Sequence, residues 1–102
     1  MFWYILKVQF EWDAQKAEEN ERKHGVSFEL ARTAFGDPFV IVEIDDEHSD
    51  DELRERLLGM TSKGVLLVIF VTREHRSGQT FRIISARKAT RSERVKYEKA
   101  AI

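Results

Sequence analysis

Seven consecutive residues, Val65-Leu66-Leu67-Val68-Ile69-Phe70-Val71, carry no polar side chain. The run is far short of the ~18 apolar residues of a membrane span. Its β-branched and aromatic content favours a strand. A strand that is apolar on both faces must be covered on both, so 65–71 is expected to run through the middle of a sheet.

The flanking segments supply the rest of that sheet. Residues 2–11 and 39–44 read as strands, and 53–60 as a strand that turns at Thr61-Ser62-Lys63-Gly64 into the central run. A second turn is expected at 73–78, followed by a strand through Phe81–Ala86. Asp13 reads as the N-cap of a helix that ends at His24, with Gly25 as its stop. Trp12 before it is placed as a staple against Ala17. This helix is polar and Glu-rich, which suits the surface. Ser27 caps a short helix whose Phe28, Ala31, Ala34 and Phe35 share a face, and Gly36-Asp37-Pro38 ends it. Thr90-x-x-Glu93 is a capping box that opens a last helix. The order β-α-α-β-β-β-β-α predicts an α+β domain, an antiparallel sheet with its helices on one side.

A chain of 102 residues with 42% apolar content supports one domain, 1–102, with one modest core. The pattern 1–7 reads as strand rather than as a secretory leader. There is no cysteine, hence no disulfide framework, thiol nucleophile or thiolate metal site, and a reducing cytoplasm fits. The net charge of −1 conceals an uneven distribution. Residues 43–55 hold eight acids against Arg54, whereas 73–102 hold nine bases against Glu74, Glu93 and Glu98. One basic face, suited to a polyanion or an acidic protein, is expected.

The chemistry concentrates where the last strand meets the last helix. Arg82, Arg87 and Lys88 lie beside a helix N-terminus, where side-chain cations and free backbone N–H groups can grip a phosphate together. Strict alternation places Arg82 and Lys88 on one strand face, with Arg87 at the helix entrance. These three are the expected phosphate clamp. His48 sits among acids that favour its protonated form and is the candidate proton donor. Arg54 and Arg56 share a face if 53–60 is a strand. His24, His48 and His75 are too scattered for a metal site, and 45–52 lacks the spacing of a calcium loop. Tyr97 is expected to pack inward and Glu98 to pair with Arg94.

Several islands in one order resemble the BrnT toxins of BrnT–BrnA type II toxin–antitoxin pairs. They are Phe10-Glu11-Trp12-Asp13, Lys16-Ala17-Glu18-Glu19-Asn20, Lys23-His24-Gly25-Val26-Ser27-Phe28, Asp37-Pro38 and Glu47-His48-Ser49. The Arg54-to-Gly59 spacing, Arg82 to Ala89, Glu93-Arg94 and Tyr97-Glu98 complete the set. The resemblance implies a RelE-like fold and an endoribonuclease toxin; with no cysteine and scattered histidines, cleavage is expected to need no metal or other cofactor. It favours Arg54 over Arg56 as an active-site residue and leaves Lys63, Arg73, Arg91 and Arg94 as further RNA-binding cations. It also implies a BrnA-like antitoxin in a hetero-oligomer with two toxins, with DNA reached only through the antitoxin and no membrane partner. The rival reading is a non-catalytic module whose basic face docks nucleic acid or an acidic protein.

Overall fold

The computed structural model describes residues 8–49 and 52–101, with the side chain of His48 left aside. The elements are β1 (Val8–Glu11), α1 (Ala14–His24), α2 (Phe28–Ala34), β2 (Ile41–Ile44), β3 (Glu55–Thr61), β4 (Gly64–His75), β5 (Gly78–Lys88) and α3 (Arg91–Ala100). A short 3-10 turn, Asp46–His48, follows β2. The expected α+β order is present. The part of the first strand expected at 2–7 lies outside the described residues.

The helix ends form for the reasons legible in the chain. The Asp13 side chain accepts from the Lys16 amide, and Gly25 closes α1 in the left-handed region at φ 69°. The Ser27 side chain accepts from the Leu30 amide. At α3, Thr90 and Glu93 complete both halves of the capping box.

The sheet order is β1-β5-β4-β3-β2. Each of β2–β5 is antiparallel to its neighbours among these, but β1 lies parallel to β5, with Phe10 opposite Phe81 and Glu11 opposite Arg82. The sheet is thus mixed. A parallel neighbour requires a long connection, and α1 through β4 provide it. The β4–β5 hairpin is longer than expected: Thr72 pairs with Phe81 and Arg73 with Thr80, and the chain turns only after His75. Those strand ends are polar, so periodicity alone does not mark them.

Helices cover both faces of the sheet, which corrects the one-sided arrangement expected from element order. On one face α1 and α2 enclose Val26, Phe28, Ala31, Ala34, Leu57, Leu66, Val68, Phe70, Ile83 and Ala86. On the other, Tyr97 of α3 and Ala89 pack with Leu58, Val65 and Leu67. The all-apolar run in β4 feeds both cores, as two-sided burial demands. At Gly59, a Cβ would come within 2.6 Å of the Ala34 carbonyl, so β3 approaches α2 at a distance only glycine permits.

Two polar side chains fasten the layers. Asn20, buried in the otherwise polar α1, donates to the Val26 and Ala86 carbonyls (3.0 and 2.8 Å) and accepts from the Ala86 amide (3.1 Å). β1 flanks β5 only as far as Arg82, so beyond it the amide of Asn20 pairs with the β5 backbone as a strand would. Asp37 accepts from the Phe39 amide, the Met60 amide and the Tyr97 hydroxyl, tying the α2–β2 loop to β3 and α3. Burial pushes the Tyr97 hydroxyl up to about 12, and the neighbouring Asp37 carboxylate adds to the shift.

Candidate active site

A β-bulge decides which side chains meet. Ser85 lies opposite Ile69, but Ile83 lies opposite Phe70, so Ile84 is the extra residue in β5. The alternation reverses there. Ile83 and Ala86 both enter the core under α1 and α2. Arg82, Ser85 and Arg87 consequently share the opposite face, and Lys88, opposite Leu66, leaves it. The expected pairing of Arg82 with Lys88 on one face is therefore corrected. One extra residue flips every later side chain, and no turn signal announces it.

On that face a pocket of about 250 Å³ opens between β3 and β5. Arg54 and Arg56 approach it from the β3 side and Ser85 and Arg87 from β5, with Leu67 and Ile69 of β4 between them and Asp45 at its edge. Asp45 is buried, and its amide donates to the Arg54 carbonyl at 2.8 Å. Three arginines, one just before β3, one within it and one in β5, thus line one recess.

Glu93 sets the geometry of two of them. Arg87 grips it with both terminal nitrogens at 2.8 and 3.1 Å, and Arg56 reaches the same carboxylate at 3.1 Å. The Thr90 amide donates to it at 2.8 Å. The capping-box glutamate is therefore also the anchor of an arginine pair. The Arg87 hydrogen bonds, working against burial, hold the Glu93 carboxyl down at about 2, and Glu93 in turn raises Arg87. Glu93 remains an anion at neutral pH and is better suited to orienting cations than to accepting a proton.

The other expected site residues lie elsewhere. Arg82 is on the same face as Arg87 but four paired positions away, about 13 Å along the strand, and sits 3.5 Å from Glu11. Arg73 pairs with Glu52 at 3.1 Å and approaches the same Glu11 at 4.0 Å. Lys63 is on the β3–β4 turn, Arg91 is exposed at the start of α3, and Arg94 donates to the Ala89 carbonyl rather than pairing with Glu98. His48 closes the 3-10 turn, three residues after Asp45; its side chain is outside the described residues. Ser85 carries no sequence signal of a site role, and the capping box by itself accounts for Glu93. Arg56, which the resemblance places behind Arg54, joins it at the pocket, and the face the two share on an extended segment is the signal for it. For Glu93, the sequence hint is its position one helical turn from a strand ending in two cations.

The Glu93 contacts predict an acid limb in stability. Its carboxyl titrates near 2 when folded against 4.5 ordinarily, so the unfolded chain binds protons first as pH falls. The stabilisation is complete above about 4.5 and disappears on descent toward 2. Asp37 acts in the same direction: burial raises its carboxyl, but hydrogen bonds from Tyr97, Met60 and Phe39 outweigh burial and leave it lowered. Melting temperature against pH is the measurement. Glu93→Gln should flatten this limb, and a variant as acid-sensitive as the parent would rule Glu93 out as its cause.

A family model described as the ribonuclease toxin, BrnT, of type II toxin–antitoxin systems matches residues 12–93. The match includes all of the pocket residues and ends on Glu93. No curated protein matches the chain. The family match extends over most of the 102 residues, and the chain belongs to this family of ribonuclease toxins, which act on RNA and are paired with an antitoxin.

Proposed function

We propose that the arginine pocket is where this chain, as one toxin domain, cleaves RNA, and that it does so without a metal. The observation that supports this reading is the convergence of Arg54, Arg56 and Arg87 on one recess, two of them held by Glu93. In such a reaction the RNA 2′-oxygen forms a bond to phosphorus as it loses its proton. The bond from phosphorus to the 5′-oxygen breaks, and that oxygen takes up a proton. The added negative charge on the non-bridging oxygens is what preorganised guanidiniums stabilise. His48 is the proposed proton donor, supported by its place three residues beyond Asp45 at the pocket edge. Arg82 and Arg73 are read as contacts to a neighbouring part of the strand, with Lys63, Lys88, Arg91 and Arg94 as peripheral cations.

A BrnA-like antitoxin is proposed to neutralise the toxin in the cytoplasm, in a complex with two toxins, and to supply the only link to DNA. No described helix is long and apolar enough to cross a membrane.

The test is purified protein with a short RNA, with and without EDTA. Cleavage at an unchanged rate in chelator is the expected result, because the charged groups lining the pocket are three arginines against the single carboxylate of Asp45. Loss of cleavage in EDTA that a divalent ion restores would overturn the metal-free mechanism. Binding without cleavage in either condition would return the chain to the reading of a docking module.

A further inference from the structure

Among the described residues, β2 is an edge of the five-stranded sheet and pairs only with β3. In an antiparallel ladder, residues alternate between turning their backbone groups inward and outward. The Asp45 amide donates to the Arg54 carbonyl, so Ile41, Glu43 and Asp45 turn inward. Val42 and Ile44 therefore present their N–H and C=O groups at the open edge. Proteins usually blunt such an edge with charge, proline or a bulge. Here the two outward positions are apolar and 45% and 54% exposed. Of the six exposed large apolar side chains among the described residues, Phe39, Val42, Ile44 and Leu53 all belong to this edge and its flanks. Val42 also borders a hollow of about 610 Å³ lined in part by Phe35, Phe70 and Phe81 and in part by Glu55 and Glu74, where side chains of an added strand have room.

Charge selects the occupant. The 43–55 segment holds eight acids, and its single base, Arg54, is committed to the pocket between β3 and β5. Asp46 and Glu47 are exposed, whereas Glu43 and Glu52 are already paired with Lys96 and Arg73. RNA is repelled from such an edge, and a second copy of the chain would bring a second acidic run to it. An extended peptide that alternates apolar side chains with lysine or arginine is attracted to it. We propose that β2 is the edge on which the antitoxin docks, adding such a segment as a sixth strand beside Val42 and Ile44. The proposal rests on the antitoxin pairing and names its surface. Asp45, the next residue after Ile44, lines the arginine pocket, so a strand docked here brings the antitoxin to the rim of the site it must silence.

The experiment uses the full chain co-expressed with the proposed BrnA-like antitoxin. Amide hydrogen exchange at Val42 and Ile44 should slow about tenfold or more in the complex, since each N–H gains a partner. Val42→Pro removes the outward donor at a position where an edge strand tolerates proline. It should keep the melting temperature of the free toxin and weaken antitoxin binding about tenfold or more. Ile44→Lys leaves the backbone intact, sets a cation against a basic strand, and should weaken binding similarly, which decides the matter if the proline variant does not fold. Unchanged exchange at both amides, or full affinity in Ile44→Lys, overturns the proposal while the antitoxin pairing stands. Protection of both amides in the toxin alone, rising with its concentration, overturns it in favour of self-association. Absence of any complex with the parent chain removes the pairing itself, and the proposal with it.

Discussion

Arg87→Ala should slow single-turnover RNA cleavage about a hundredfold while weakening RNA binding much less. Arg87 is the only pocket cation that meets Glu93 with both nitrogens, and that contact fixes its plane before substrate arrives. A preorganised donor aimed at charge that grows in the transition state is worth about 3 kcal/mol, a factor of roughly 10² in rate. Arg87→Lys is the sharper variant: it keeps the charge and loses the fork, so it should be nearly as slow. Arg82→Ala provides the contrast. Its guanidinium sits beside Glu11, outside the pocket, so its loss should lower affinity more than rate. The measurements are single-turnover rates, RNA affinity at fixed salt, and melting curves. Full cleavage by a folded Arg87→Ala variant would remove Arg87 from the reacting site. Equal rate losses for Arg82→Ala and Arg87→Ala would sink the distinction between pocket and periphery.

Asn20→Ala should cost the fold about 3 kcal/mol, because truncation leaves buried backbone groups at Val26 and Ala86 without partners. For a domain of this size that lowers the melting temperature by roughly 12–24 °C. Asn20→Asp should be no better. It retains an acceptor for the Ala86 amide but sets a carboxylate against two carbonyl oxygens. Because Ala86 immediately precedes Arg87, the alanine variant should also lose cleavage at temperatures where it remains folded. Thermal melts and cleavage rates well below the transition test this. A melting temperature within a degree or so of the parent would show that water replaces the amide and that Asn20 is dispensable.

Most of the framework was legible in the chain because its signals are local. Capping side chains, a left-handed glycine and an all-apolar run act within a few residues, and helix ends, strand 53–60 and the central strand followed from them. The parallel placement of β1 was not legible, since strand direction depends on where a long connection returns the chain. The placement of α3 on the opposite face was half legible: the two-sided apolar run required a second cover, but element order alone suggested a single layer.

The site divides along the same line. Residue types and spacing are enough to gather cations near the β5–α3 junction, to make Glu93 a cap of α3, and to put Arg54 and Arg56 on one face of an extended 53–60. Which of these side chains meet depends on how the strands associate. The bulge at Ile84 moved Lys88 off the face and aligned Arg82, Ser85 and Arg87 on it. The β3–β4–β5 register brought Arg54 and Arg56 across to Arg87. Asn20 shows the limit most plainly: within α1 it is a modest helix former among charged neighbours, and its role arises from a β5 backbone left unpaired 66 residues away. Side-chain chemistry is written in residue types, but alternation, register and the pairing of distant backbone groups are settled only when the strands associate.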